Sequence, residues 1–383
     1  MSTTVLTGAR IFTGEAFVDG QALVIAEGRV AGLAPADIRP EGARILALPP
    51  DRLIAPGFID IQVNGGGGVL FNDDPSPEAI RAIGAAHRRF GTTGFLPTLI
   101  SDAPDRLPLA LEAARSAIAA DMPGVLGVHI EGPFINPARR GTHRESVLRP
   151  LAAAERALLE RPTGGVTLVT VAPEIVPPAD IAALVAAGLR VSLGHSACGY
   201  DTARAAYAAG ASCATHLYNA MSPLTGREPG MVGAALDTPE AWCGLIVDGH
   251  HVHPASLRVA LAAKPRGKCL LITDAMPPVG AASPSFTLYG ETIRSEGGRC
   301  VNAEGALAGA DLDMATAVRN AVHLLGLPLD EALRMAAAYP ADFLGLGGRL
   351  GRLLPGHQAD LVVLGPELTV EQAWIAGDPG PAA

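Results

Sequence analysis

GVLGVHIE, at residues 124–131, is an apolar, strand-forming run that ends in a carboxylate, Glu131. The same pattern recurs at three later points in the chain, where apolar runs end in His195, His216 and Asp274. When such runs are strands of one parallel sheet, their carboxyl ends lie at the same edge. The recurrence therefore predicts a single polar site that several strands build together.

Eight β-rich runs in succession determine the predicted fold class. They lie at 54–62, 93–99, 124–131, 166–172, 189–195, 211–216, 243–250 and 269–274. Ala-rich stretches of helical character lie between most of these runs, at 76–90, 104–121, 178–187, 201–209 and 255–263. Alternating strands and helices predict an α/β protein with a parallel sheet. Eight such units predict a closed (β/α)8 barrel of the TIM type, with catalytic groups at the carboxyl ends of the strands.

The two ends of the chain have a different character. Residues 3–50 and 356–376 contain short β-like runs broken by turns, without helical periodicity. Because neither end can form a core by itself, the two are predicted to meet in one small β-sandwich domain. The predicted domains are therefore a discontinuous small domain, 1–53 with 345–383, and a barrel, 54–344.

Three segments near the end of the predicted barrel complete the assignment. Residues 276–302 have the pattern of a β-hairpin insertion, and 314–325 and 329–343 have helical character.

The composition is that of a compact enzyme. The chain has 383 residues, of which 49% are hydrophobic and 17% charged, and its formal net charge is −9. Such a chain can bury a large core. The acidic balance argues against nucleic acid or an anionic membrane surface as a partner. The five cysteines lack C-x-x-C spacing and the N-terminus lacks a signal-like segment, which predicts a reduced, cytoplasmic protein. The apolar runs are short, so no transmembrane helix is predicted.

Glu131, His195 and His216 offer the ligand types of a metal centre. Zinc accepts imidazole nitrogen and carboxylate oxygen, and a catalytic zinc keeps one coordination position open for water. The metal lowers the pKa of that water towards about 7. Asp274, a carboxylate in the same relative position, is suited to accept a proton from the water and pass it to a leaving amine. The pattern predicts a metal-assisted hydrolase. Zn²⁺ is the predicted ion, with Fe²⁺, Co²⁺ and Mn²⁺ as alternatives that the same ligands accept.

Nine short motifs, spread over nearly the whole chain, carry a resemblance to a known family. They are APGFIDIQVNG (55–65), HIEGPF (129–134), GTH (141–143), GHS (194–196), ATHLYNAM (214–221), TGREPG (225–230), DGHHVH (248–253), TDAM (273–276) and GALAG (305–309). Through them the chain resembles the N-acetylglucosamine-6-phosphate deacetylases of the amidohydrolase superfamily. The resemblance implies hydrolysis of N-acetyl-D-glucosamine 6-phosphate to D-glucosamine 6-phosphate and acetate, with Asp274 as general base and then general acid.

The resemblance also implies roles for residues around the predicted metal ligands. His143, in the loop after the third barrel strand, is expected to stabilise the oxyanion that develops on the acetyl carbonyl. The implied substrate-lining positions are Thr142, Asn219, Ala220, Leu307, Ala308 and Gly309.

Arg227 and His251 are implied to bind the sugar phosphate. Arg227 lies in the Gly/Pro-rich segment TGREPG, and a guanidinium suits bidentate recognition of phosphate. By the resemblance, both residues act across the interface of a homodimer. The active site would then be complete only in the dimer.

Two features concern the number of metal ions. Many amidohydrolases carry His-x-His at the end of the first strand, whereas this chain has Gln62-Val63-Asn64, and an amide is a poor ligand for a transition metal. One metal per subunit is therefore predicted. Binuclear relatives bridge two metals with a carbamylated lysine, but the only lysines here, Lys264 and Lys268, lie between the seventh and eighth strands.

Two alternative functions remain open from the sequence. N-acetylgalactosamine 6-phosphate is an alternative substrate, because one epimeric hydroxyl separates it from the glucosamine compound. A barrel that binds an amino-sugar phosphate as a sensor, without turnover, is the alternative from another functional class. A sensor would have no chemical need for Asp274 beside three metal ligands.

Overall fold

The structure, a computed structural model, describes residues 3–380. The chain forms two compact units. The first comprises Met1–Asp60, His87–Gly94 and Asp313–Ala383, and the second comprises Ile61–Ala86 and Phe95–Leu312. The predicted domain boundaries, with the barrel at 54–344, remain a prediction. Residues 1–2 and 381–383 of the predicted small domain lie outside the described residues.

Strands and helices alternate through much of the chain. In chain order the strands are β1 (Thr3–Thr7), β2 (Arg10–Phe12), β3 (Phe17–Val18), β4 (Gln21–Ala26), β5 (Arg29–Pro35), β6 (Arg44–Ala47), β7 (Leu53–Pro56), β8 (Phe58–Val63), β9 (Gly65–Gly66), β10 (Val69–Leu70), β11 (Thr92–Ile100), β12 (Gly127–Glu131), β13 (Val166–Val171), β14 (Arg190–Leu193), β15 (Cys213–Ala214), β16 (Trp242–Ile246), β17 (Cys269–Ile272), β18 (Ser285–Leu288), β19 (Glu291–Glu296), β20 (Arg299–Val301), β21 (Leu307–Ala310), β22 (Leu361–Leu364) and β23 (Val370–Trp374). The helices are α1 (Pro77–Arg88), α2 (Arg106–Ala119), α3 (Ala153–Leu159), α4 (Pro178–Ala186), α5 (Tyr200–Ala208), α6 (Gly230–Leu236), α7 (Pro254–Ala263), α8 (Met314–His323), α9 (Leu329–Ala336) and α10 (Ala338–Leu344).

Two sheets form the β-rich part of the first unit. Their strand orders are β5-β4-β1-β6 and β23-β22-β7-β2-β3. Both sheets contribute to one apolar core, with Leu6 and Leu23 from the first sheet and Ile54, Leu361 and Trp374 from the second. Strands from the two ends of the chain pair directly, since β22 is antiparallel to β7. The predicted β-sandwich of N- and C-terminal segments is confirmed.

An eight-stranded sheet carries the site residues. Its order is β17-β16-β15-β14-β13-β12-β11-β8, and neighbours from β11 to β17 are parallel. A parallel bridge between Val63 and Ala275 links the two outermost strands of this order near their carboxyl ends. The sheet thus closes on itself with helices in the connections between its strands. The predicted (β/α)8 barrel is confirmed.

The first predicted run, 54–62, is two strands rather than one. β7 pairs in the sandwich, whereas β8 belongs to the barrel. Gly57 separates the two, and a Cβ at this position would lie 2.0 Å from Oγ1 of Thr93. Only glycine permits so close an approach of the backbone to a side chain.

The predicted helix at 329–343 is likewise two helices, α9 and α10. The break is at Ala337, whose backbone angles are φ −133° and ψ −68°. Pro340 explains it, because proline has no amide hydrogen and its ring clashes with the carbonyl four residues earlier in a continuous helix.

The predicted hairpin insertion at 276–302 is confirmed. β18, β19 and β20 pair antiparallel in sequence order, and β21 joins them. Two short helices, α3 and α6, were not predicted. Among the described residues, every helix is too short or too polar to cross a bilayer.

Candidate active site

Four barrel strands deliver the central polar residues. Glu131 is the last residue of β12, and His195, His216 and Asp274 each come two residues after β14, β15 and β17. These three have positive φ, of 49°, 33° and 53°. The left-handed backbone ends each strand earlier than the sequence predicted. It also breaks the up-and-down alternation of side chains along the strand, so that each of these side chains lies beside the others at the edge of the sheet.

Glu131, His195 and His216 form one tight, buried cluster. Oε1 of Glu131 lies 3.1 Å from Nε2 of His195 and 3.0 Å from Nε2 of His216. The two Nε2 atoms are 3.0 Å apart. Among residues 3–380 this is the one group of three or more His, Cys, Asp or Glu side chains with ligand atoms within 4.8 Å of one another.

The hydrogen bonds around His195 indicate what the cluster holds. Nδ1 of His195 lies 2.9 Å from the carbonyl oxygen of Arg139. A carbonyl only accepts, so Nδ1 carries the ring proton and Nε2 of the neutral ring presents a lone pair. That lone pair faces an oxygen of Glu131, which is also an acceptor. A proton or a cation must lie between them, and one carboxylate with two imidazoles fits a divalent metal.

The charged groups in and beside this cluster shift one another's pKa values. Burial opposes ionisation of Glu131, but the contacts of its carboxylate with the His195 and His216 rings outweigh this effect and hold the pKa of Glu131 well below its usual value. Burial and the nearby Glu131 carboxylate raise the pKa of Asp274. The pKa values of the two carboxyl groups are thus shifted in opposite directions. Glu131 remains an anion, whereas Asp274 becomes a group that can carry a proton.

Gln62 and Asn64 bind these carboxyl groups. Nε2 of Gln62 donates to Oε2 of Glu131 at 3.0 Å and to Oδ1 of Asp274 at 3.1 Å. Nδ2 of Asn64 donates to the same Oδ1 at 2.7 Å. Their amide hydrogens therefore orient the carboxylates that face the site.

A cavity of about 180 Å³ opens over the cluster. The predicted substrate-lining residues that line it are Thr142, Asn219, Ala220, His251, Leu307 and Gly309, beside His143 and Asp274. Ala308 is buried and does not line the cavity, and Arg227 lies on an exposed loop outside it.

His143 reaches the cavity from the loop between two short 3-10 helices, Pro137–Arg139 and Glu145–Val147. Its ring centroid is 4.4 Å from that of His195. Nδ1 of His143 contacts Ser101, 3.3 Å from the backbone nitrogen and 2.6 Å from Oγ. Burial and the neighbouring His195 lower the pKa of His143 to about 3, so its ring is neutral at physiological pH.

His251 forms a pair with Asp248, just after β16. Its Nδ1 lies 2.6 Å from Oδ2 of Asp248. Oδ1 of Asp248 accepts the backbone N–H groups of His250 and His251, at 2.8 and 2.9 Å. Burial opposes ionisation of this carboxyl, but the hydrogen bond with His251 outweighs it and lowers the pKa of Asp248. An ionised Asp248 accepts a hydrogen bond from the proton of Nδ1 and so fixes the orientation of the His251 ring.

Comparison with known families identifies the class of enzyme. The sequence model of the amidohydrolase family matches residues 53–379. The chain belongs to the amidohydrolase family. It is therefore a hydrolase, and members of this superfamily generally bind a divalent metal.

Specific relatives of this amidohydrolase carry two names. The chain is 43% identical to the N-acetylgalactosamine-6-phosphate deacetylase of Shewanella sp. (strain ANA-3), over 97% of this chain and 94% of the relative. It is 37% identical to the N-acetylglucosamine-6-phosphate deacetylase of Haemophilus influenzae, over 88% of each. The crystal structure of the N-acetylglucosamine-6-phosphate deacetylase from Pasteurella multocida superposes with a TM-score of 0.96 at 35% identity, covering all of both chains.

Sequence reasoning missed Ser101 and Asp248 in this amidohydrolase. Ser101 comes directly after β11 and Asp248 comes two residues after β16, so their position near a strand end was a possible signal. Serine and aspartate are nevertheless common at such positions. Lys264 lies away from the cluster, as its Nζ donates to the carbonyl oxygens of Ala235 and Thr238.

Proposed function

We propose that the protein hydrolyses the acetamide of N-acetyl-D-glucosamine 6-phosphate, giving D-glucosamine 6-phosphate and acetate. The observation that carries the proposal is one cavity in which Asp274 and His143 face the Glu131, His195 and His216 cluster. Similarity to deacetylases of amino-sugar phosphates over nearly the whole chain supports it.

We further propose one metal ion per subunit, held by Glu131, His195 and His216, with Zn²⁺ first and Fe²⁺, Co²⁺ or Mn²⁺ as alternatives. When bound, such an ion supplies Lewis acidity towards the substrate carbonyl and a water of lowered pKa. Binding of a second ion is disfavoured because the side-chain amides of Gln62 and Asn64 direct N–H groups, not lone pairs, towards the carboxylates.

Asp274 is the proton carrier in this proposal. It accepts a proton from the attacking water as the new C–O bond forms at the acetyl carbon. When the C–N bond breaks, it donates that proton to the leaving amine. The raised pKa of Asp274 suits this exchange, because it lies closer to the working pH than that of an ordinary carboxyl.

His143 stabilises the developing charge. Its neutral ring donates an N–H hydrogen bond to the acetyl oxygen, which becomes an oxyanion in the tetrahedral intermediate. Thr142, Asn219, Ala220, Leu307, Ala308 and Gly309 are the proposed surroundings of the sugar.

Arg227 and His251 are proposed to bind the phosphate. Arg227 is exposed and does not line the cavity of its own subunit, whereas His251 does. This placement supports a homodimer in which the two residues meet one phosphate across the interface. Five buried cysteines without disulfides support a reducing, cytoplasmic location.

N-acetylgalactosamine 6-phosphate is a second candidate substrate. A specific observation favours it, because the Shewanella relative named for this substrate is more similar, at 43% identity, than the Haemophilus relative at 37%. The two sugars differ only at the C4 hydroxyl, so both present the same acetamide and phosphate to the site.

The test is acetate release from both sugar phosphates and from unphosphorylated N-acetylglucosamine, on protein of known metal content. Rapid turnover that requires the phosphate, with about one metal per chain, is expected. The ratio of kcat/KM for the two epimers assigns the substrate. No turnover of either by metal-loaded protein would overturn the enzymatic proposal and leave the sensor alternative.

A further inference from the structure

Ser101 is a buried residue that contacts the active-site residue His143. It comes directly after β11 and has no exposed surface. Its backbone nitrogen lies 3.3 Å, and its Oγ 2.6 Å, from the same atom, Nδ1 of His143. Ser101 does not line the cavity, whereas His143 does.

These contacts define the tautomer of His143. A backbone N–H can only donate, so Nδ1 of His143 must present a lone pair to it. The hydroxyl of Ser101 donates its hydrogen to the same lone pair. A neutral imidazole with an unprotonated Nδ1 carries its proton on Nε2. His143 is therefore fixed as an Nε2–H donor.

The position of Ser101 is itself tightly constrained. A Cβ on Gly132 would lie 2.3 Å from Oγ of Ser101, and Gly132 has a φ of 77°. Glycine there leaves room for the hydroxyl. On the other side, the carbonyl oxygen of Ser101 accepts the phenol hydrogen of Tyr289, from the turn between β18 and β19. The serine backbone is thereby held from a second direction.

We propose that Ser101 is a positioning residue, which sets the tautomer of His143 so that its Nε2–H points at the acetyl oxygen of the substrate. This rests on the proposed function through the role of His143 in oxyanion stabilisation. In the opposite tautomer, Nε2 would present a lone pair to the developing oxyanion and repel it. Ser101 thus acts on the transition state without touching the substrate.

Nitrogen NMR of zinc-loaded protein with ¹⁵N-labelled histidine tests the tautomer directly. The His143 signals are assigned by their loss in His143→Gln. The wild-type protein is expected to show His143 as the Nε2–H tautomer, and Ser101→Ala a mixture of the two tautomers. Ser192→Ala, which removes another buried hydroxyl of the barrel, is the matched control and should leave the His143 tautomer unchanged. An Nδ1–H tautomer in the wild-type protein would overturn the proposal.

Kinetics provide the second test. In Ser101→Ala the backbone N–H of residue 101 still donates to His143, so only part of the loss expected on removal of an oxyanion donor should appear. We expect kcat to fall about tenfold, with KM and metal content little changed. In a His143→Gln background, Ser101→Ala should cost less than about twofold, because residues that act as a unit are not additive. An equal loss in both backgrounds would show a structural role and defeat the proposal.

The two proposals fail in different ways. If wild-type protein turns over neither sugar phosphate, the proposed function fails, while the NMR experiment still reports whether Ser101 sets the tautomer.

Discussion

Nδ2 of Asn64 donates a 2.7 Å hydrogen bond to Oδ1 of Asp274, and so joins residues that follow the first and last strands of the barrel. The backbone is joined at the same place, because the amide of Asn64 donates to the carbonyl oxygen of Ala275 at 2.9 Å. The proposed proton carrier, Asp274, therefore lies where the first and last strands of the barrel meet. The orientation of Asp274 is fixed by the closure of the fold itself.

Asp274→Asn should abolish most turnover. The variant keeps the size of the side chain but cannot carry the proton, and loss of general acid–base catalysis costs about 10²- to 10⁴-fold in rate. Metal content should persist, because Asp274 lies outside the three-residue cluster. Acetate release and elemental analysis are the measurements, with Asp201→Asn on the exposed start of α5 as the control. A kcat within tenfold of wild type would remove Asp274 from the mechanism.

His195→Ala and His216→Ala should each lose bound metal, since each leaves only two ligands of the cluster. The metal content of purified variants after dialysis is the readout, and activity should fall with it. His323→Ala, at an exposed position in α8, should retain a full complement. Stoichiometric metal in both cluster variants would place the ion elsewhere.

Arg227→Ala should chiefly weaken recognition of the phosphate. Removing a guanidinium partner of phosphate costs about 1.5 to 3 kcal/mol, which corresponds to about a 10- to 100-fold rise in KM for the phosphorylated sugar. Any residual slow turnover of the unphosphorylated sugar should not change, because that sugar has no phosphate to contact Arg227. Arg161→Ala, an exposed arginine before β13, is the control. An unchanged KM for the sugar phosphate would show that Arg227 has another role.

Asp248→Asn should raise KM for the phosphorylated substrate through His251. The amide cannot make the charge-assisted hydrogen bond that the carboxylate makes with Nδ1 of His251, so the ring is held less firmly opposite the phosphate. We expect a rise of about fivefold to tenfold, with kcat little changed. If His251→Gln already abolishes the effect of Asp248→Asn, the two residues act together. Additive effects of the two substitutions would contradict this pairing.

Asp360 should make the stability of the protein depend on pH. The carboxyl is buried, and it accepts hydrogen bonds from the backbone of Ala376 and from Gln358. Burial raises its pKa from 3.8 to about 6. Because the folded value is the higher one, the folded state retains the proton longer. The resulting stabilisation is complete below about pH 4 and is lost as pH rises through about 6.

Asp360→Asn removes this titration. Between about pH 4 and pH 7, the free energy of unfolding of the wild-type protein should fall relative to that of the variant by on the order of 2 to 3 kcal/mol. Urea unfolding at several pH values measures the difference. Asp37→Asn, an exposed carboxyl in the same unit, should follow the wild-type trend. Parallel pH trends for wild type and Asp360→Asn would refute the prediction.

The sequence predicted the barrel because hydrophobic periodicity reports burial, and it predicted the metal cluster because ligand-type residues repeatedly followed apolar runs. Strand ends were less accurate. The runs ending at His195 and His216 were predicted to include these residues, yet the strands stop at Leu193 and Ala214. The left-handed backbone that stops them depends on the tertiary site and has no local signal in a histidine.

Contacts between distant residues were the part that the sequence did not reveal. Ser101 and His143 are 42 positions apart, and nothing in either segment marks their contact. Gly57 is similar, because the need for a missing side chain arises only from the nearby Thr93. Patterns along a chain predict elements and their faces, whereas such pairings follow only from packing.

The positive φ angles of His195, His216 and Asp274 have a consequence for natural selection. An L-residue in this conformation costs roughly 1–2 kcal/mol, a penalty that glycine avoids. Glycine would thus relieve backbone strain while removing the very group that the reaction uses. In a mutational scan, glycine should rank among the better-tolerated substitutions for protein abundance at these positions and among the worst for growth that depends on turnover. The divergence between the two rankings would mark the catalytic positions without any knowledge of the chemistry.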